Sequence, residues 1–355
     1  MFSKPKNDTP IVLNGLFLDE EGKQSGAYFM AITVIKELLI LDSRYRLITT
    51  QDFDWARGRS IYVPKFKKVL RFFVETYYRN IYKDFTWVHF DYFLPYRLLG
   101  RRHVDLVVIH DLLPLDIPKS VSKYKLKWFS HQVRRSISRS YLVITISNFC
   151  KSRFAYHYPG FVDKIVVISN PVDLLRFNNK NLDPSNFGNT PYFLTVSAPW
   201  PHKNLQTLVK AVEASYAVNA IPLFICGTRS KLLSNLNESE AVRFLGYLSD
   251  AELANAITNA CLIMVPSLYE GFGMTVYEGL ALGQYVLASD LEVYGSLPNL
   301  IRVQNPHLSH SWLDAIENFL GNPPVKESVD LSDFEPRLIA EKYDEVIKKS
   351  DFYIS

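Results

Sequence analysis

The feature that most constrains this chain is a series of short, near-continuous apolar runs. Each is stopped by polar residues and followed by enough chain for a helix. Ile11–Leu13 opens the series, Val104–Ile109 ends at His110-Asp111, Tyr141–Ile146 at Ser147-Asn148 and Ile165–Ile168 at Asn170-Pro171. Tyr192–Val196, Leu223–Cys226, Phe244–Gly246, Leu262–Val265 and Val286–Ala288 repeat the rhythm. Strands that are apolar throughout, not alternating, fit parallel sheets covered by helices on both faces. Between them, Ala27–Leu41 has helical spacing with Ser25 as its N-cap, Asn204 precedes a helix bearing Leu205, Leu208, Val209 and Val212, and Asp250 starts another. Gly273–Leu282 reads as a helix closed by Gly283, and Leu338–Lys349 as a last amphipathic helix.

A chain of 355 residues is long for one core of this kind and suits two domains. The polar, turn-rich run from Asn178 to Asn186 marks the break. The expected organisation is a first α/β domain over 1–175, a linker over 176–190, a second α/β domain over 191–335, and a C-terminal helical segment, 336–355, packing back on the first domain. In open parallel sheets ligands bind beyond the carboxyl ends of the strands. The polar residues His110, Ser147, Lys203, Gly227 and Glu270 fall at such ends.

No apolar run approaches the ~18 residues that span a bilayer, and the polar start from Met1 to Pro10 has no signal-peptide core. Cys150, Cys226 and Cys261 are odd in number and far apart, which favours buried thiols in a reducing cytoplasm over disulfides. No His/Cys/Asp cluster has the spacing of a metal site. The net charge of +4 hides an asymmetry: the first 175 residues carry 27 basic and 16 acidic side chains (+11), the remainder 13 and 20 (−7). A basic first half suits an anionic partner.

The densest chemical signal runs from Ser267 to Gly283. Gly271-Phe272-Gly273 leads into a helix, so free N–H groups and the positive helix end form an anion site suited to a phosphate. Glu270 lies in that loop and Glu278 on the helix. Carboxylates beside a phosphate repel it and suit hydroxyl groups, as on a sugar and a ribose. The plainer alternative is a solvated glutamate and a helix entry that needs glycine. Lys203 is likewise either a solvated charge or a phosphate ligand, and His110 either a satisfied structural residue or a functional one.

The stretch Glu270-X7-Glu278 with Gly271-Phe272-Gly273 resembles the signature of retaining GT-B glycosyltransferases of family 4. Pro201-His202-Lys203-Asn204-Leu205, Phe244-Leu245-Gly246-Tyr247, Val108-Ile109-His110-Asp111, Ile144-Thr145-Ile146-Ser147-Asn148 and Ile168-Ser169-Asn170-Pro171 resemble further landmarks of that family, in order. The resemblance implies a GT-B fold, two Rossmann-like parallel-sheet domains facing a central cleft. It implies a hexosyltransferase without metal or cofactor that moves a mannose-like hexose or deoxyhexose from a GDP-, UDP- or dTDP-linked sugar. The expected acceptor is a glycan, polyprenyl-diphosphate-linked, in bacterial surface polysaccharide such as O-antigen. By resemblance, Glu270 contacts donor sugar hydroxyls and Glu278 the ribose. The amides of Gly271, Phe272, Gly273, Met274 and Thr275 hold sugar and phosphate, and Lys203 neutralises the diphosphate. The main chain at Gly246 and Tyr247 holds the base, Gly26 lends an amide to the diphosphate, and His110 acts from the other domain. Relatives often carry an arginine just before the lysine; here His202 takes the adjacent place and Arg229 is a candidate substitute. A nucleotide-sugar epimerase with the same pocket, or a non-catalytic binder of nucleotide sugar or nucleic acid, are the competing readings.

A second region, 62–97, holds thirteen aromatic and seven basic residues against three acidic ones. Pro64 is expected to start a helix with Phe66, Leu70, Phe73, Val74 and Tyr77 on its apolar face and Lys65, Lys67, Lys68 and Arg71 at its beginning. Two readings stand: a core-packed helix with a solvated basic side, or docking on an anionic membrane surface or lipid diphosphate at the inner face of the cytoplasmic membrane. A single-strand nucleic-acid platform has the same composition, but no nucleic-acid module is present and none is expected as partner.

Overall fold

The computed structural model describes residues 10–18, 25–67, 70–95, 104–177, 190–227, 236 and 238–351. The chain divides into two compact units, Met1–Pro171 with Asp333–Ser355, and Val172–Ser332. The polar run 178–189 that marks the expected linker lies outside the described residues, as do Lys68, Tyr96 and Arg229.

The first unit is built on a seven-stranded sheet: β1 (Ile11–Asn14), β2 (Tyr45–Thr49), β3 (Ser60–Tyr62), β4 (Thr86–His89), β5 (Asp105–Val108), β6 (Leu142–Thr145) and β7 (Ile165–Val167). The order is β3-β2-β1-β4-β5-β6-β7 and every pairing is parallel. One face carries Ile11, Leu13, Val88, Leu106 and Val108, packed against α1 (Gly26–Leu41). The opposite face carries Val12, Trp87, Val107 and Ile109 and is covered by α2 (Arg71–Ile81), α4 (Lys123–Arg139) and α5 (Asn148–His157). A short α3 (Leu113–Asp116) follows β5. Ser25 caps α1 as expected, its Oγ accepting from the Tyr28 amide. The last helix, α10 (Pro336–Asp351), adds Ile339, Ala340, Tyr343 and Ile347 to the α1 core, and the Tyr45 hydroxyl donates to Asp344 at 2.7 Å.

The second unit has six parallel strands: β8 (Phe193–Val196), β9 (Leu223–Cys226), β10 (Val242–Gly246), β11 (Leu262–Val265), β12 (Val286–Ser289) and β13 (Leu300–Val303), in the order β10-β9-β8-β11-β12-β13. α6 (Leu205–Asn219) and α9 (Ser309–Gly321) cover one face, and α7 (Asp250–Asn259) and α8 (Met274–Ala281) the other. Ser249 and Glu252 form a reciprocal capping box at α7.

Two local expectations are corrected. Asn204 precedes α6 but does not cap it with its side chain: it sits in the left-handed region (φ 53°), where its Nδ2 donates to the Pro306 carbonyl and its Oδ1 accepts from Thr207 Oγ1. The helix expected from Pro64 begins only at Arg71; of its expected apolar face, Phe66 and Val74 pack on the Val12 and Trp87 core, while Leu70, Phe73 and Tyr77 point outward. Phe73 is 69% exposed and Tyr77 61%, while Glu75, Thr76 and Arg79 are buried. The cause is a polar network inside the unit. Arg79 Nε donates to Asp105 Oδ1 at 2.7 Å, Glu75 accepts from Arg71 Nε and Asn14 Nδ2, and Asn14 meets His89 Nδ1 at 3.1 Å. Satisfying buried charges outranks burying three apolar side chains, because an unpaired buried charge costs several kcal/mol. Of the basic residues at the expected helix start, Lys65 and Lys67 are exposed, whereas Arg71 is paired with Glu75 and Asp91.

Candidate active site

In each sheet the strand order reverses once, between β1 and β4 and between β8 and β11. Loops leaving the carboxyl ends of strands at such a reversal diverge to opposite faces and leave a crevice. In the second unit the loop after β8 runs to a single turn, Pro201–Lys203, and the loop after β11 runs through Ser267 to Gly273. The Leu268 amide donates to the His202 carbonyl at 2.7 Å, which ties the two loops together. Lys203 Nζ and Glu270 Oε1 meet at 2.6 Å, both partly shielded from solvent. Two residues separated by 67 positions thus converge at the reversal point.

Beside them lies the start of α8. Gly273, its N-cap, has φ +92°, and a Cβ there would come within 2.4 Å of the Tyr294 ring. Only glycine allows both the backbone conformation and this approach. Gly271 and Phe272 are buried, and Phe272 stacks on Tyr277 with ring centroids 4.4 Å apart. Its side chain is therefore committed to the core, which leaves main-chain groups to act. Met274 and Thr275 are half-buried in the first turn, and Glu278 is buried one turn further along. Partial positive charge at the α8 start and the Lys203 ammonium together make an anion-binding corner.

The neighbouring strand ends are drawn in tightly. A Cβ on Gly227 (φ +133°) would sit 2.1 Å from the Ser197 carbonyl, and the Gly227 amide donates to the Gly246 carbonyl at 2.7 Å. That contact fixes the Gly246 turn (φ +71°) and leaves Tyr247 exposed at its tip.

His202, beside Lys203, adds no second positive charge. Burial first, and then the Lys203 ammonium, push its imidazole down to about 4 against the opposing pull of Glu270. Its ring is neutral at pH 7 and does not supply the charge of the arginine found in relatives. Tyr294 is a residue that the motifs missed. It is 1% exposed, packs on Gly273, and keeps its proton to well above the ordinary range because of burial and then the Glu270 charge. It follows β12 in the chain, so the rule that polar residues gather beyond carboxyl ends could have flagged it.

Lys203, Gly246, Tyr247, Glu270, Gly271, Phe272, Gly273, Met274, Thr275 and Glu278 all belong to the second unit; Gly26 and His110 belong to the first. Gly26 is exposed at the start of α1. His110 follows β5 and is buried against the Tyr92 ring. Its Nε2 lies 3.2 Å from the Phe90 carbonyl, which can only accept, so Nε2 carries the proton. Burial lowers its affinity for a second proton, and the ring is neutral. The three cysteines are free thiols. Among the described residues no helix is long and apolar enough to cross a membrane, and no group of three or more His, Cys, Asp or Glu could hold a metal ion.

Residues 178–322 match the family Glycosyl transferases group 1. The chain is 31% identical over 220 residues to O-antigen chain mannosyltransferase RfbU of Salmonella typhimurium, covering 60% of each protein. It is 25% identical over 241 residues to O-antigen chain mannosyltransferase B of Escherichia coli, covering 62% of this chain and 60% of that one. Each alignment thus spans 60% of the relative's length. Sucrose-phosphate synthase from Thermosynechococcus elongatus superposes with a TM-score of 0.73 at 15% identity, over 98% of this chain and all of that one. Residues 178–322 are thus similar to glycosyl transferases group 1, and the chain shares the GT-B fold of its structural neighbours.

Proposed function

We propose that this chain is a retaining glycosyltransferase that moves mannose, or a closely related hexose or deoxyhexose, from a nucleoside-diphosphate sugar to a growing glycan on a polyprenyl diphosphate, at the cytoplasmic side of the membrane. The observation that carries this is the meeting of Lys203 and Glu270 at 2.6 Å beside the glycine-led start of α8, where the sheet reverses. The relatives named as O-antigen mannosyltransferases support mannose and a surface polysaccharide.

In this reading the diphosphate displaces Glu270 from Lys203. The ammonium and the amides of Gly273, Met274 and Thr275 take the charge that grows on the leaving phosphate, work that other enzymes give to a metal ion. Glu270, released, turns to sugar hydroxyls, and Glu278 holds the ribose. The turn at Gly246 and Tyr247 receives the base, and Gly26 lends an amide to the diphosphate. Glu270 is then occupied with hydroxyl groups, and no second carboxylate is assigned to the sugar, so substitution proceeds on one face. The bond from the anomeric carbon to the phosphate oxygen breaks, the acceptor oxygen bonds to that carbon from the same side, and the acceptor proton passes to the leaving phosphate. His110, neutral and anchored to Phe90, positions the sugar and is not the nucleophile.

The test couples calorimetry with product analysis. GDP, UDP and dTDP are titrated first. Glu278→Gln should weaken the nucleotide that binds by about 10- to 100-fold, the loss of a charge-assisted bond of ~1.5–3 kcal/mol. Proton NMR of the product should show the donor's anomeric configuration, with turnover unaffected by EDTA. Inverted product, a metal requirement, or release of an epimerised nucleotide sugar without acceptor would each overturn the assignment.

A further inference from the structure

The outward stripe on α2 is not an isolated patch. Leu70, Phe73, Tyr77 and Ile81 recur at helical spacing and are all about half or more exposed. α4 covers the adjoining part of the same sheet face. The Arg135 guanidinium of α4 lies over the Phe72 ring of α2 at 5.9 Å, and the Phe93 ring stands on Trp128 at 5.0 Å. Outward from α4 project Tyr124 (88% exposed) and Trp128 (52%), with Lys123, Lys125, Lys127 and Arg134 also exposed around them.

The charge of this region is one-sided. From Ile117 to Val162 the sequence contains no aspartate or glutamate and nine lysines and arginines. On α2 the one acidic residue, Glu75, is turned inward and paired, while Lys65, Lys67 and Lys83 flank the stripe against a single exposed carboxylate, Asp84. Exposed aromatics set among basic side chains, on helices already anchored by their inner faces, match an anionic bilayer. Aromatic rings settle at the headgroup level, long cationic side chains reach phosphates, and the anionic leaflet attracts the whole face. A protein partner of ordinary polarity offers no reason for the absence of acidic residues from 117 to 162.

We propose that the α2–α4 face of the first unit is a docking surface for an anionic phospholipid bilayer, with Phe73, Tyr77, Tyr124 and Trp128 entering the interface and Lys123, Lys127 and Arg134 meeting the headgroups. None of these residues belongs to the donor site, so the proposal stands apart from the reading of that site.

Flotation of the full chain with vesicles of 70% phosphatidylcholine and 30% phosphatidylglycerol, against pure phosphatidylcholine, tests it. Binding should require the anionic lipid and fall steeply between 0.1 and 0.5 M salt, where screening shortens from about 10 Å. Lys123→Gln/Lys127→Gln/Arg134→Gln should weaken it on the order of 100-fold, at about fivefold per charge. Tyr124→Ser/Trp128→Ser and Phe73→Ser/Tyr77→Ser should each abolish stable flotation. All three variants should stay folded and keep the wild-type nucleotide affinity; the charge variant should keep the wild-type melting temperature, whereas Trp128→Ser also gives up its contact with Phe93 and should lower it slightly. Equal flotation on both vesicle types, full binding by folded variants, or a concentration-dependent dimer that Phe73→Ser/Tyr77→Ser dissolves would overturn the proposal.

Discussion

Breaking the Arg79–Asp105 pair tests why α2 lies with its polar side inward. The pair is 2.7 Å long, both side chains are at most 6% exposed, and the guanidinium also stacks over Trp87 at 5.4 Å. Asp105→Asn would leave a cation buried without its counter-charge, which costs about 3–5 kcal/mol. Against a domain stability of roughly 5–15 kcal/mol, this is a large fraction of the total. Arg79→Met/Asp105→Leu removes both charges and should cost less than either single change, giving a coupling energy of at least about 2 kcal/mol. Urea unfolding followed by Trp fluorescence and far-UV circular dichroism measures the double variant, its singles Arg79→Met and Asp105→Leu, and Asp105→Asn. Acid should act in a defined direction. Burial alone would raise the Asp105 carboxyl, but the adjacent His89 and Arg79 reverse this and hold it well below the ordinary range. Its contribution is therefore complete above pH ~4 and declines as the pH falls below that value toward the folded-state titration. The stability gap between wild type and Asp105→Asn should be flat from pH 7 to 5 and narrow under stronger acid. Additive single-variant costs below about 1 kcal/mol would refute the account of α2.

Glu270→Gln should free Lys203 and bind a nucleoside diphosphate as tightly as wild type or tighter, while turnover falls; calorimetry showing more than tenfold weaker binding would contradict the competition between Glu270 and the diphosphate. Gly273→Ala adds left-handed strain of about 1–3 kcal/mol and a clash with Tyr294 of similar size, so urea unfolding should show a loss of about 2–5 kcal/mol in the second unit. Tyr343→Ala, in the α10 contribution to the first core, should cost about 3–5 kcal/mol and lower the transition of the first unit alone.

The parallel sheets were legible because near-continuous apolar runs such as Val104–Ile109, broken only by Asp105, leave no solvated face to alternate with. The convergence of Lys203 and Glu270 was legible because the chain order of strand, loop and helix puts both beyond strand ends whatever the details. The orientation of α2 was not. Its hydrophobic period names Phe73 and Tyr77 as the inner face, and only the distant Asn14, His89 and Asp105, brought alongside by β1, β4 and β5, reverse it. The neutrality of His202 was hidden in the same way, since it depends on burial beside Lys203. Glycine 273 read as a helix entry, but the need for it comes from Tyr294, which arrives from a later loop.

The return of α10 has a consequence for synthesis on the ribosome. The core around α1 takes Ile339, Ala340, Tyr343 and Ile347 from the far end of the described chain, with all of the second unit strung between. The second unit has its whole sequence in hand once Ser332 has cleared the exit tunnel, whereas the first unit, although translated earlier, waits for α10. The second unit can therefore complete its core before the first, although it is translated later. In the interval the α1 surface that α10 will cover is an apolar groove open to water, and it is there that a chaperone would find the nascent chain and a stalled ribosome would leave it exposed.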